Sequence, residues 1–386
     1  MIKRLIYGAA SASLALSLSM APSLAADASN DTTGAESNNE AEVEVENDVT
    51  VSQYNDAEIH NNISIWSNTG GNSASKNTGD GSVKTGDASA GVAVSNTANS
   101  NSASLSVSGG GDLSASNETT GYDSENEAEV EIENDVDLTQ KNRANVCNCV
   151  QVGVNTGDND SDKNTGDGSV DTGDADAEVS IATMVNRNWA EVSLNGGGDP
   201  SASNSETGAE SENEAEVEIE TDVDVLQEND ANIHNFVGVD ANTGGNSADK
   251  NTGDGSVETG DAEVDVEIEN AANSNSASIE GMDDPDVSAS NETTGYDSEN
   301  EAEVEIENDL DLTQGNRADV SNSGEIGANT GDNDSDKNTG DGSVDTGDAD
   351  VEISVSTEAN ENTLNGEDGD GDSVNVDVDV NVEVGD

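Results

Sequence analysis

The sequence predicts an all-β chain built from four 87-residue repeats, forming either a β-solenoid or a row of small tandem β-domains. Three observations predict it. The segment Lys-Asn-Thr-Gly-Asp-Gly-Ser-Val-x-Thr-Gly-Asp-Ala begins at Lys76, Lys163, Lys250 and Lys337, each 87 residues after the last. Within a repeat the apolar residues alternate with acids at a period of two, which on a helix would scatter them around the axis. Segments rich in Gly, Asp and Asn separate these runs and supply turn chemistry.

Residues 1–25 form a separate element. Lys3 and Arg4 precede an apolar run from Leu5 to Met20, and Ser23-Leu24-Ala25 places small residues at a cleavage point. This pattern predicts a secretory signal peptide, cut after Ala25 or Ala26. A membrane anchor fits less well, because the apolar run is short of the roughly 20 residues that span a bilayer. The expected location is outside the cell or at its surface, with no membrane insertion.

The repeats follow at 31–117, 118–204, 205–291 and 292–372, and each opens on a strand. In the second, Ala128, Val130, Ile132, Asn134, Val136, Leu138 and Gln140 fall on one face, with Glu127, Glu129, Glu131, Glu133, Asp135 and Asp137 on the other. The fourth keeps the same register from Ala302 to Gln314. A second strand is expected at Ala144, Val146, Val150 and Val152, then a turn region. A third is expected at Ala175, Ala177, Val179 and Ile181, and a weaker one near Val192–Leu194. Four short strands per repeat suit a solenoid. Amides recur on the inward face at Asn47, Asn134 and Asn308 and at Gln53, Gln140, Gln227 and Gln314. They either stack into hydrogen-bonded ladders or mark strand ends and bends. Residues 373–386 depart from the repeat, with Val at every even position from Val374 to Val384. They are expected to cap the last repeat or to pair with the first repeat of another molecule.

Duplication accounts for part of the regularity. Ser114–Asp135 is identical to Ser288–Asp309, so repeats 2 and 4 are one type, 1 and 3 another, and a double unit was copied.

Charge excludes whole classes of function. The chain of 386 residues has 85 Asp and Glu against 11 Lys and Arg, a net charge of −74, with 2% aromatic residues. Such a surface repels nucleic-acid phosphate and anionic membranes. With a single Phe and two Trp a large aromatic core is not available. No nucleophile–base pairing or phosphate loop is identifiable, and the only histidines, His60 and His234, align with Cys147 and Ser321, so no enzymatic activity is expected. Cys147 and Cys149, two apart on one strand face, would form a strained bridge. The same positions hold His60/Asn62, His234/Phe236 and Ser321/Ser323, as a variable exposed site would.

The acids also predict a partner. Carboxylates roughly 7 Å apart along a strand repel by about 0.6 kcal/mol per pair in water, and neighbouring strands add to this. Divalent cations remove the load, and dense hard oxygen ligands are what Ca²⁺ takes. The candidate ligands lie in the turns. Asp158, Asp160 and Asp162, and again Asp332, Asp334 and Asp336, follow the spacing of the first three ligands of an EF-hand loop. Lys163 and Ser169 then depart from that motif. The Gly-Asp-Gly and Thr-Gly-Asp turns add Asp80 and Asp87, Asp167 and Asp174, Asp254 and Asp261, and Asp341 and Asp348. A calcium-binding turn and a solvated acidic turn without an ion both fit these residues. Lys76, Lys163, Lys250 and Lys337 are either internal counterions or duplicated surface lysines.

At these Asp/Gly turns and strand amides the chain resembles repetitive acidic secreted surface proteins of bacteria, RTX-like and curlin-like in character. The resemblance covers residues 31–386 in style. The Gly-Gly-x-Gly-x-Asp nonapeptide is absent and curlin repeats are far shorter, so no residue roles are carried over. It implies calcium-dependent folding or fibre formation outside the cell. The expected function is therefore an extracellular structural or adhesive repeat protein, folded and stiffened by Ca²⁺ and self-associating into fibres or a surface layer. The alternative is a soluble acidic cation-binding or salt-adapted protein without fixed assembly, partly disordered when ion-free.

Overall fold

A computed structural model describes residues 3–10, 13–20, 26–108, 112–195, 198–281, 286–366 and 375–384. The Ser23–Ala25 cleavage motif lies outside the described residues. The chain is all-β, and its four repeats are four stacked coils of one β-solenoid. Coil 1 comprises β3 (Ala26–Asp31), β4 (Asn38–Asn68), β5 (Gly81–Lys84) and β6 (Ala88–Ser108). Coil 2 comprises β7 (Leu113–Glu118), β8 (Glu125–Asn155), β9 (Gly168–Asp171) and β10 (Ala175–Asn195). Coil 3 comprises β11 (Ser201–Ser205), β12 (Glu212–Asn242), β13 (Gly255–Glu258) and β14 (Ala262–Glu280). Coil 4 comprises β15 (Ser288–Glu292), β16 (Glu299–Asn329), β17 (Gly342–Asp345) and β18 (Ala349–Gly366). Each strand pairs in parallel with its counterpart 87 residues on, giving four sheets that cross all four coils. Tandem independent domains could not share sheets in this way.

The coil is flattened into two layers. The 31-residue strand, about 100 Å long, forms one layer. The 21-residue strand and the short strand after it run back across its inner face. Val150 and Val152 pack with Ala177 and Val179, Leu138 with Val192, and Val130 with Ala202. The two strands expected at 127–140 and 144–152 are one, because β8 runs unbroken from Glu125 to Asn155. Gln140 and Asn142 continue the alternation, and both are buried, so no apolar residue is needed to hold the middle of the strand. The return strand is also single, and the switch of inward residues from odd (Val179, Ile181) to even (Val192, Leu194) has a cause. Asn186 adopts a left-handed φ of 60° and is skipped in the pairing together with its counterpart Asn273, a kink that keeps the 87-residue register and shifts the parity by one. Asn99, Asn273 and Asn360 do the same in the other coils.

The inward amides form ladders. Asn39 donates to Asn126, Asn126 to Asn213 and Asn213 to Asn300, at 2.7–2.8 Å. Gln140 Nε2 donates to Gln53 Oε1 at 2.7 Å and also to the Trp189 carbonyl on the opposite layer. Asn61, Asn148, Asn235 and Asn322 form another such column at 2.7 Å per step. Between these polar planes lie the aliphatic clusters, so the interior alternates apolar and amide layers along the strand. Close stacking also fixes glycine: a Cβ on Gly157 would sit 1.9 Å from the Gly244 carbonyl oxygen.

The N-terminal end keeps the repeat register and the C-terminal end leaves it. β1 (Lys3–Ala10) and β2 (Ser13–Met20) lie on β6, with Lys3 opposite Ala90, again 87 residues apart. β19 (Asn375–Val384) pairs with β16 of its own chain from Thr313 to Asn322, out of the 87-residue register. Cys147 and Cys149 are free thiols, half-exposed on the outer face of β8.

Candidate cation-binding surface

The outer face of the long sheet is a carboxylate lattice. Strand alternation turns Glu127 to Asp137 outward, and parallel in-register pairing sets each acid beside the same acid of the next coil. Glu42, Glu129, Glu216 and Glu303 make one column, and Glu44, Glu131, Glu218 and Glu305 the next. Spacings are about 4.8 Å between strands and roughly 7 Å along them. The crowding shows in proton affinity. Burial, followed by repulsion from Glu216, Glu127 and Glu42, raises the Glu129 carboxyl above its ordinary value of 4.5. Burial and then Glu44 and Glu218 raise Glu131. Asp135, Glu216 and Asp224 are raised in the same way, by burial first and acidic neighbours second.

The turn aspartates are organised by the stack. Asp167 Oδ1 accepts the Asp254 N–H at 2.9 Å, and the Asp167 N–H donates to Asp80 Oδ1 at 3.0 Å. The Asp341 N–H donates to Asp254 at 2.8 Å. Asp87, Asp174, Asp261 and Asp348 form a second column of the same kind, with N–H to Oδ1 distances from 2.8 to 3.2 Å. In coils 1 to 3 each carboxylate holds the backbone of the next coil through its Oδ1. This role, a charge-assisted acceptor at a coil junction, was hidden in the sequence because the partner is 87 residues away. Its signal was the recurrence of the aspartate at that period.

The triple-aspartate turn occurs in coils 2 and 4, and the one in coil 2 is the more buried. Burial is the largest single influence on Asp162 and opposes its ionisation, and it is outweighed only by several groups together, the Asp249 N–H at 2.6 Å foremost among them. Asp160, the Ser247 hydroxyl at 3.0 Å and Lys163 assist, and the carboxyl is held below its ordinary value. Asp160 is raised by burial and by its bond with Asp162. Its Oδ1 is buried with no hydrogen-bond partner. An orphaned carboxylate oxygen beside a second carboxylate is donor chemistry that suits a hard cation. Asp158 stands apart, at a left-handed φ of 59°, accepting from Asn155 Nδ2 at 3.2 Å. In coil 4, Asp332 and Asp336 are exposed, Asp332 with a left-handed φ of 58°, and Asp334 takes part in a bridge with Ser247. Among the described residues no three His, Cys, Asp or Glu side chains converge on a point that could hold a metal ion. The Gly-Asp-Gly and Thr-Gly-Asp aspartates are thus brought into columns rather than into a single cage, whereas Asp160 lies between Ser73 and Ser247 of the neighbouring coils.

Lys163, Lys250 and Lys337 each stand beside the preceding aspartate, at 3.8, 3.7 and 2.8 Å. With Lys76 they share left-handed φ values of 57–64°. Lys84 contacts Asp171 and Lys141 reaches Glu228 at 2.7 Å, both across coils. Comparison with family models, curated proteins and solved structures returns no match.

Proposed function

We propose that this is an extracellular structural repeat protein whose carboxylate lattice and aspartate columns collect Ca²⁺, which stiffens the solenoid and lets it associate into fibres or a surface layer. The observation that carries the reading is the register: like acids face like acids on neighbouring strands across all four coils. Repulsion of about 0.9 kcal/mol per pair at that spacing in water is a standing cost, and ions bound between columns remove it. Hard cations match this all-oxygen surface better than soft ones. The test is thermal unfolding of the full chain with Ca²⁺ titrated at constant ionic strength. A saturable rise of several degrees, beyond what Na⁺ gives, is expected. A melting temperature indifferent to Ca²⁺ and to chelation would refute the reading.

A soluble acidic protein without fixed assembly is the second reading, favoured by the exposed charge on the outer faces. Electron microscopy of the calcium-loaded protein separates the two, since only the first produces filaments or sheets.

A further inference from the structure

The solenoid stops at coil 4 without finishing its interior. Val304, Val344, Val351 and Ile353 are 44–52% exposed, whereas their counterparts one coil earlier, Val217, Val257, Val264 and Val266, are 0–1% exposed. The amide ladders stop open as well. Gln53, Gln140 and Gln227 each offer Oε1 to the glutamine of the next coil, and Asn61, Asn148 and Asn235 each donate Nδ2 to the next asparagine. At the end of those columns Gln314 Oε1 and Asn322 Nδ2 are buried and unpartnered. An unsatisfied buried amide group costs about 1–3 kcal/mol. Over this stretch the edge is taken by β19, whose register sets valine positions, Val376 and Val384, where amides would continue the columns.

The first coil has the complementary end. Gln53 Nε2 is bonded to the Ser102 carbonyl alone among the described residues, whereas Gln140 and Gln227 make that cross-layer bond and a ladder bond too. Coil types alternate, so coil 4 followed by another coil 1 repeats the native junction of coil 2 with coil 3.

We propose that the occupant of the coil 4 edge is a second copy of this chain, added head to tail, with its β4 on β16 and its β3 and β5 on β15 and β17. β19 is then a placeholder on residues 313–322 that the incoming β4 displaces. β1 and β2 lie where a preceding copy's β18 would pair with β6, so loss of the leader frees that part of the junction. The proposal rests on the calcium reading above, because the junction brings the Glu301–Asp311 row beside the Glu40–Asp48 row.

The test uses two proline variants of the chain after loss of residues 1–25, in millimolar Ca²⁺, read by sedimentation and electron microscopy. Ser37 accepts from the Glu125 N–H and the Thr69 N–H donates to Asn155, so odd residues of β4 face coil 2 and even ones face the free edge. Ser52→Pro therefore removes only a free-edge donor, and proline is tolerated at such a position. Its monomer should keep the wild-type circular dichroism and calcium-induced melting shift while assembly falls about tenfold, equivalent to about 1.4 kcal/mol per junction. Asp379→Pro weakens the placeholder and should raise the assembled fraction. The proposal is overturned if Ser52→Pro assembles like wild type, if Asp379→Pro assembles less, or if neither wild type nor Asp379→Pro oligomerises. The melting shift tests the calcium reading separately.

Discussion

Gln140 shows why a polar residue can hold the middle of this protein. Its side chain is fully buried, bonded to Gln53, to Gln227 and to the Trp189 carbonyl at 2.7–3.0 Å. Replacing it with leucine leaves Gln53 Oε1 buried without its donor and takes one bond each from the Trp189 carbonyl and from Gln227 Nε2, which keeps the Ser276 carbonyl; an unsatisfied buried group costs about 1–3 kcal/mol before relaxation. Gln140→Leu should therefore cost about 2–4 kcal/mol in urea unfolding, while Ser104→Ala, on the outer face, should cost under about 0.5 kcal/mol. Replacing Gln53, Gln140, Gln227 and Gln314 together should cost less per site than Gln140 alone, because the in-column partners leave as a set. A single substitution that stabilises the protein would show that the ladder contributes nothing.

The strand is the level at which charge is decided and at which the sequence was most and least legible. Inside and outside faces of β8 could be read residue by residue from the period of two, including the burial of Asn134 and Gln140. Strand continuity could not, since residues 139–143 are polar on both faces and only the neighbouring coil shows their amides to be satisfied. The parity switch at Asn186 was likewise invisible, because one residue in a left-handed conformation moves every later side chain to the other face. On the acidic face the sign of the pH effect follows from the raised carboxyls. Glu129, Glu131, Asp135, Asp176, Glu216 and Asp224 hold protons more tightly folded than unfolded. Their contribution is fully present below the ordinary values of 3.8–4.5 and is lost as pH rises through the raised ones. Asp162 and Asp336 act oppositely, contributing above the ordinary aspartate value and losing that contribution on further acidification. Metal-free protein should thus melt higher near pH 4, at the ordinary carboxyl values, than at pH 7, and Ca²⁺ should shrink the difference. Glu129→Gln should add about 1 kcal/mol at low salt and less at high salt, as removal of its nearest repulsions predicts; a loss of stability would contradict the repulsive lattice.

At the scale of the whole molecule, the repeat length itself is the quantity under constraint, and deletions test it against simple inside–outside patterning. Coils touch only their neighbours, so stability is close to a sum of coil and junction contributions. Removing residues 118–291 takes out one double unit and joins coil 1 to coil 4, the same pairing of types as coil 1 with coil 2. Every ladder survives that excision: Asn39 meets Asn300, Gln53 meets Gln314 and Asp80 meets Asp341. The shortened chain should keep its β signal per residue and unfold at a lower urea midpoint, since it has fewer junctions. Removing only Val136 and Asp137 preserves the period of two, so hydrophobic residues still face inward. Yet it shifts either half of β8 by two positions against β4 and β12, setting Gln140 against Val51 and Val225, or Asn126 against Glu40-flanked Ala41, depending on which half slips. Amides would then face aliphatic groups in a layer where they have no other partners. A loss of two residues should therefore damage folding more than a loss of 174, measured as β signal and urea midpoint side by side. Binary patterning alone predicts the opposite order, because the shorter deletion keeps nearly all the buried apolar surface. The comparison decides whether the columns of Asn, Gln and Asp, rather than hydrophobic alternation, set the register of the stack.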